Sequence, residues 1–172
     1  DLRINRCALY AFRNSTVESN GSRPIVAAVG VAAWSNTAAN VVTVSHTTMS
    51  AAESCAVNSS GGYATVAEGI VVFTSDDIHV DVQSAVILVA DHGVVTAASI
   101  VSNGESTAAV AVTVWANSGN VTMRLSESTI ASMRHCSVVG TAVWHLVAAV
   151  GVAIRGDRVH LLVLGSAVAA VD

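Results

Sequence analysis

Between Asn120 and Ile130 apolar and polar residues alternate: Val121, Met123 and Leu125 are separated by Thr122 and Arg124. A period of two predicts a strand with one buried face. A short polar step follows, then a hydroxyl at Ser128 and an apolar residue at Ile130. Laid over this phrase, four other stretches repeat it with variation. They are Ala8, Tyr10, Phe12, Ser15, Val17; Asn40, Val42, Val44, Thr47, Met49; Ile78, Val80, Val82, Ser84, Val86; and Val159, Leu161, Val163, Ser166, Val168. A copy-to-copy spacing of roughly 32 to 44 residues falls in the range of repeat architectures.

Two further runs flank each phrase. A bulky apolar residue precedes each later strand (Trp34, Phe73, Trp115, Ile154), led in by runs such as Val29-Gly30-Val31 and Val112-Thr113-Val114. The steps between are Ser35-Asn36, Ser75-Asp76-Asp77, Asn117-Ser118-Gly119 and Arg155-Gly156-Asp157, residues that suit tight turns. After the main strand, Cys55-Ala56-Val57, His92-Gly93-Val94 and Cys136-Ser137-Val138 take like positions. The pattern predicts an all-β parallel β-helix of about four to five coils, three strands per coil, right-handed by default. Residues 1 to 17 read as an incomplete first coil, 25 to 60 and 61 to 102 as the next two, and 107 to 172 as the last coil and a half. The loop Asn103-Gly104-Glu105-Ser106 enlarges the third repeat. Helix competes with strand for Ala142 to Ile154, where Val143, Leu146, Val147 and Val150 have helical spacing; the valines and Gly151 oppose it.

Composition fits the repeat. Hydrophobic residues make up 52% of 172 residues but aromatics only 4%, so the core is Val and Ala stacking on copies of themselves rather than a few large anchors. No shift in composition marks a second domain, and residues 1–172 read as one β-helix segment of a longer repeat protein. The eight basic residues are all arginine and the net charge is −4, without a basic patch, which argues against nucleic-acid binding. Mean hydropathy is +0.60. The apolar runs Ile25 to Trp34 and Ala142 to Ile154 nonetheless fall short of the roughly 18 to 20 residues of a spanning helix, so this segment is not expected to insert in a membrane.

Candidate chemistry is sparse. Asp76, Asp77, Asp91 and His92 are the residues from which a carbohydrate-active enzyme would draw its acid and base. Their order and spacing differ from those of β-helix polysaccharide hydrolases, and aspartate is common in turns. We therefore expect no catalytic residues, with Asp76, Asp77, Asp91 and His92 as the alternative. Of the histidines (His46, His79, His92, His135, His145, His160), His79 and His160 take equivalent outward positions two coils apart. That is about 9 to 10 Å, too far for one metal ion to be shared. No metal site and no cofactor are expected. Cys55 and Cys136 are likewise two coils apart, beyond disulfide reach, and with Cys7 read as free thiols or as partners of parts of the protein outside this chain. Arg155-Gly156-Asp157 spells a cell-adhesion tripeptide but fills an ordinary turn. Asn14, Asn20, Asn58 and Asn120 open Asn-X-Ser/Thr sequons, the pattern of a glycosylated surface protein. The hydroxyl column is too mixed for an ice-binding ladder and predicts side chains bonded to backbone at strand ends.

With Asn-Val-Thr-Met-Arg-Leu-Ser-Glu-Ser-Thr-Ile and Val-Gly-Val-Ala-Ala-Trp-Ser, the absence of lysine and the scattered sequons, the chain resembles the large dispersed gene family surface proteins of trypanosomes. That resemblance implies a pectin-lyase-like parallel β-helix in the ectodomain of a very large membrane protein at the cell surface. The implied role is adhesion to a host or neighbouring-cell protein or glycan. Bacterial β-helical passenger domains are the nearest rival and imply a similar fold and location.

Overall fold

A computed structural model describes residues 1–11, 15–21, 25–35, 40–61, 64–98, 106–116, 118–141 and 146–171. The described residues are all β, without helix, and every strand pairing among them is parallel. A first pass contains β1 (Leu2–Asn5), β2 (Ala8–Ala11), β3 (Thr16–Gly21) and β4 (Ile25–Ser35). A second contains β5 (Asn40–Ser45), β6 (Thr48–Ala51), β7 (Ala56–Gly61) and β8 (Ala64–Thr74). The third has β9 (Ile78–Gln83), β10 (Val86–Ala90), β11 (Val94–Ala98) and β12 (Ser106–Ala116). The fourth has β13 (Asn120–Ser126), β14 (Thr129–Met133), β15 (Ser137–Thr141) and β16 (Leu146–Arg155), followed by β17 (Arg158–Leu164) and β18 (Ala167–Val171).

Hydrogen bonding collects every fourth strand into one sheet. Sheet A orders as β1-β5-β9-β13-β17 and sheet B as β2-β6-β10-β14-β18. Sheet C orders as β3-β7-β11-β15 and sheet D as β4-β8-β12-β16. The chain thus visits four sheets in each circuit rather than the expected three strands. What reads as one phrase in the sequence, from Val121 to Ile130, is two strands joined at a sharp corner.

That corner has one construction in every circuit. Its first residue is left-handed: Arg6 (φ 54°), His46 (50°), Ser84 (49°), Glu127 (51°) and Gly165 (55°). Each of the first four donates its amide to the last carbonyl of the neighbouring sheet A strand, as His46 does to Gln83 (3.0 Å) and Glu127 to Leu164 (2.9 Å). The second residue carries the cap. Thr47, Ser128 and Ser166 donate their hydroxyls to the carbonyls of Ser45, Ser126 and Leu164, at 3.0, 2.9 and 3.1 Å. In turn the Ala85 amide donates to the Ser128 hydroxyl and the Ser128 amide to the Ser166 hydroxyl, both at 3.1 Å. The expected backbone-bonding role of the hydroxyls holds at these three positions. Ser128 is buried. Ser128→Ala is expected to cost about 1–3 kcal/mol, because it leaves the buried Ala85 amide without its acceptor, whereas Ser166→Ala at a more exposed corner costs less. Thermal melts of the two variants check this.

Two registers differ from the sequence alignment. Ala8 pairs with Thr48, so Tyr10 lies beside Ser50, and it is Leu2 that pairs with Val42. The inward column therefore runs Leu2, Val42, Val80, Met123, Leu161, without Tyr10. Ser15 belongs to the next corner, where its hydroxyl meets the Cys55 thiol at 3.4 Å. Ser84 is the left-handed residue of its corner rather than its cap; its hydroxyl donates to the Glu127 carboxylate (3.1 Å), and Ala85 holds the cap position.

In sheet A the alternation buries one row per strand, while β8 and β12 of sheet D are buried on both faces. Val42, Val80, Met123 and Leu125 of sheet A, Met49, Ile87 and Ile130 of sheet B, Val57 and Val95 of sheet C, and Val31, Ile70 and Val112 of sheet D join one hydrophobic cluster. Stacking each on a near-copy of itself removes apolar area from water at about 25 cal/mol per Å². Sheet D packs against sheets B and C. Residues 146–154 of the stretch where helix competed lie in strand β16; Ala142 to His145 lie outside the described residues. β17 is the edge of sheet A, and its inward Leu161 and Val163 are accordingly half exposed.

Candidate functional site

The outer face of sheet A carries a shallow groove of about 330 Å³ lined by His79, Thr122, Met123, Arg124, His160, Leu161 and Leu162. The ladder explains it. Residues that alternate with the buried row point outward, and parallel register puts like positions in columns. One column is His79, Thr122, His160; the next, two residues along, is Asp81, Arg124, Leu162. His79 and His160 are thus equivalent and two circuits apart, as expected from the sequence. Arg124 lies diagonally between them and is exposed. Its ladder neighbour Asp81 is half-buried, and its Oδ1 has no hydrogen-bond partner among the described residues.

The aspartates singled out by sequence do not assemble. Asp76 and Asp77 lie at the corner between sheets D and A, Asp91 and His92 at the corner between sheets B and C, with β9 and β10 in between. Each acid is engaged locally. Asp76 accepts from the Asp77 amide (2.9 Å), Asp77 accepts from the Asn120 amide of the next circuit (2.6 Å), and Asp91 bonds Arg134 at 2.9 Å. These are turn and corner bonds, and the four residues form no common groove floor.

The Arg-Gly-Asp tripeptide is also built into the corner. Arg155, not Ile154, continues the aromatic column: Trp34 pairs with Phe73, Phe73 with Trp115, and Trp115 with Arg155. The Phe73 and Trp115 rings stack at 6.4 Å, and the Arg155 guanidinium lies 4.2 Å from the Trp115 ring centroid. Asp157 accepts from the Gly119 amide (3.1 Å) and returns its own amide to the Gly119 carbonyl (2.8 Å). A Cβ on Gly156 would lie 2.7 Å from Val121.

The cysteines are free: Cys7 exposed, Cys55 buried, Cys136 half-buried. Cys55 and Cys136 are equivalent with Gly93 between them, and each thiol donates to a carbonyl three residues back, at 2.7 and 2.8 Å. Gly93 rather than His92 fills the Cys55 column, so the sequence alignment slips by one residue here. His92 falls instead beside Ser54 and His135. Of the sequons, Asn120 is exposed at the start of β13, Asn58 is half-buried in β7 and Asn20 lies in β3, while Asn14 lies outside the described residues.

Sequence reasoning missed Glu68. It lies in β8, fully buried, with Oε1 accepting from the Leu88 amide across the core (3.2 Å) and Oε2 without a hydrogen-bond partner. Burial pushes its carboxyl up to about 8 against the pull of the Leu88 and Ala51 amides. The signal was present: one charge in the eleven-residue apolar strand Ala64–Thr74. Among the described residues, no group of three His, Cys, Asp or Glu side chains converges on one point. No helix among the described residues is long and apolar enough to cross a membrane. Comparisons with protein-family models, curated proteins and solved structures find no match to this chain.

Proposed function

We propose that this chain is a right-handed parallel β-helix segment that serves as a non-catalytic recognition module of a large cell-surface protein. The successive visits to four sheets and the in-register parallel ladders support the β-helix. The sheet A groove is the face offered to a glycan or protein, and its chemistry suits a glycan. Arg124 brings a planar fork of donors, and Thr122 and the two imidazoles bring groups that can donate and accept at ladder spacing. Sugar hydroxyls need donor and acceptor side by side. The single observation that carries the reading is this groove, set against Asp76, Asp77 and Asp91, which are engaged in corner bonds.

The test is binding of the 172-residue chain to arrayed glycans and to candidate cell-surface proteins. Arg124→Ala is expected to weaken the captured ligand about tenfold or more, the size of a lost charge-assisted hydrogen bond. Ligand binding indifferent to Arg124→Ala and His79→Ala would remove the groove from the reading. Polysaccharide cleavage by the wild type that disappears in Asp77→Asn would replace recognition by catalysis.

A further inference from the structure

The corner between sheets B and C places two imidazoles face to face. Asp91 and His92 in the third circuit, and Arg134 and His135 in the fourth, are all left-handed, with φ of 53°, 63°, 63° and 57°. The second circuit uses the same geometry with Glu53 and Ser54 (56° and 62°), so the backbone here belongs to the architecture and not to a local strain. Its effect is to turn the second residue of each pair out from the same corner, one circuit above the other. His92 donates its amide to the Arg134 carbonyl at 3.1 Å, and the pairing of Val94 with Ser137 fixes the register. The rings stack with centroids 5.4 Å apart and planes 20° from parallel. Both are exposed.

We propose that His92 and His135 form a two-imidazole site for a divalent first-row transition ion, with Cu²⁺ bound most tightly. The chemistry follows from three features. Neutral imidazole nitrogen is a preferred donor for copper, nickel and zinc, and affinity rises to a maximum at copper. Nitrogens about 2.0 Å from a shared ion sit roughly 2.9 Å apart as cis ligands of tetragonal Cu²⁺ and roughly 3.3 Å apart around a tetrahedral ion, which two exposed rings on adjacent ladder strands reach by tilting toward each other. The nearest cation, Arg134, is already paired with Asp91 at 2.9 Å, so its charge beside the rings is balanced. The Cys136 thiol is turned to the Met133 carbonyl and is not part of the donor set. His79 and His160, with a threonine between them, have no such geometry. The site is independent of the glycan reading.

The experiment is calorimetric titration of the untagged 172-residue chain with CuCl₂ and with NiCl₂. One saturable site is expected, weakened at least tenfold by His92→Asn or His135→Asn and unchanged by His46→Asn. Asparagine is chosen because it tolerates the left-handed backbone and keeps the corner intact. The copper-loaded wild type is expected to show two nitrogen ligands by electron paramagnetic resonance. Retention of the site in the double asparagine variant, absence of saturable binding, or a copper spectrum without two nitrogens would each overturn the proposal.

Discussion

Leu125→Asp is expected to abolish the cooperative melt of this chain and leave it insoluble. Leu125 is fully buried, with Val82 below it and Val163 above it in the sheet A ladder. The substitution removes about 1.5–3 kcal/mol of side-chain burial and adds the several kcal/mol needed to hold an unpaired carboxyl in an apolar row. A domain whose whole margin is about 5–15 kcal/mol does not survive both together with the loss of packing on either side. The matched control is Leu162→Asp. Leu162 lies beside Arg124 on the outer face and is 51% exposed, so the same change there should move stability by less than about 0.5 kcal/mol. If both variants melt alike, the inward and outward rows have been assigned wrongly.

Glu68 should make the protein more stable in acid than at mildly alkaline pH. A group whose carboxyl is raised on folding, here from 4.5 to about 8, leaves the folded state holding a proton that the unfolded chain has released. Its contribution is fully present below pH 4.5, is lost progressively as the pH rises toward 8, and is flat above that. A shift of this size corresponds to several kcal/mol, on the order of 4–5. Desolvation is the cause, and it outweighs the Leu88 and Ala51 amides that favour the charged form. Glu68→Gln retains the acceptor for the Leu88 amide and removes the titration. The measurement is urea unfolding of both proteins across that range. The difference between them should slope with pH inside the window and level off above it; parallel profiles would mean that the carboxyl does not titrate there.

The strand period and the parallel stacking of Val42, Val80, Met123 and Leu161 were legible because each inward residue has a bulky apolar counterpart in the next circuit. The corners were not. A two-residue left-handed turn leaves no glycine or proline in the sequence when Arg6, His46, Ser84 and Glu127 occupy it, so two strands read as one. The first circuit slipped because Tyr10 and Phe12 look more like core than Leu2 and Ile4 in a four-residue strand. Arg155 replaced the expected Ile154 in the aromatic column because a guanidinium can stack where a ring would. His79 and His160 were read as an outward pair, but Arg124 between them was passed over as ordinary alternation. The one-residue slip at His92 hid His135 above it.

The corners also differ in how rigidly their length is held. Between sheets A and B the connection is always two residues, Arg6-Cys7, His46-Thr47, Ser84-Ala85, Glu127-Ser128 and Gly165-Ser166, each opening on a left-handed residue. Between sheets C and D the chain goes from Gly61 to Ala64 in one circuit and from Ala98 to Ser106 in the next, while β12 still pairs in register with β8. Length variation is therefore largest between sheets C and D, while the B–C and D–A connections vary by only one or two residues. A foreign peptide grafted after Ala98 is expected to leave the ladders in register, whereas one extra residue after His46 would throw sheet B out of phase.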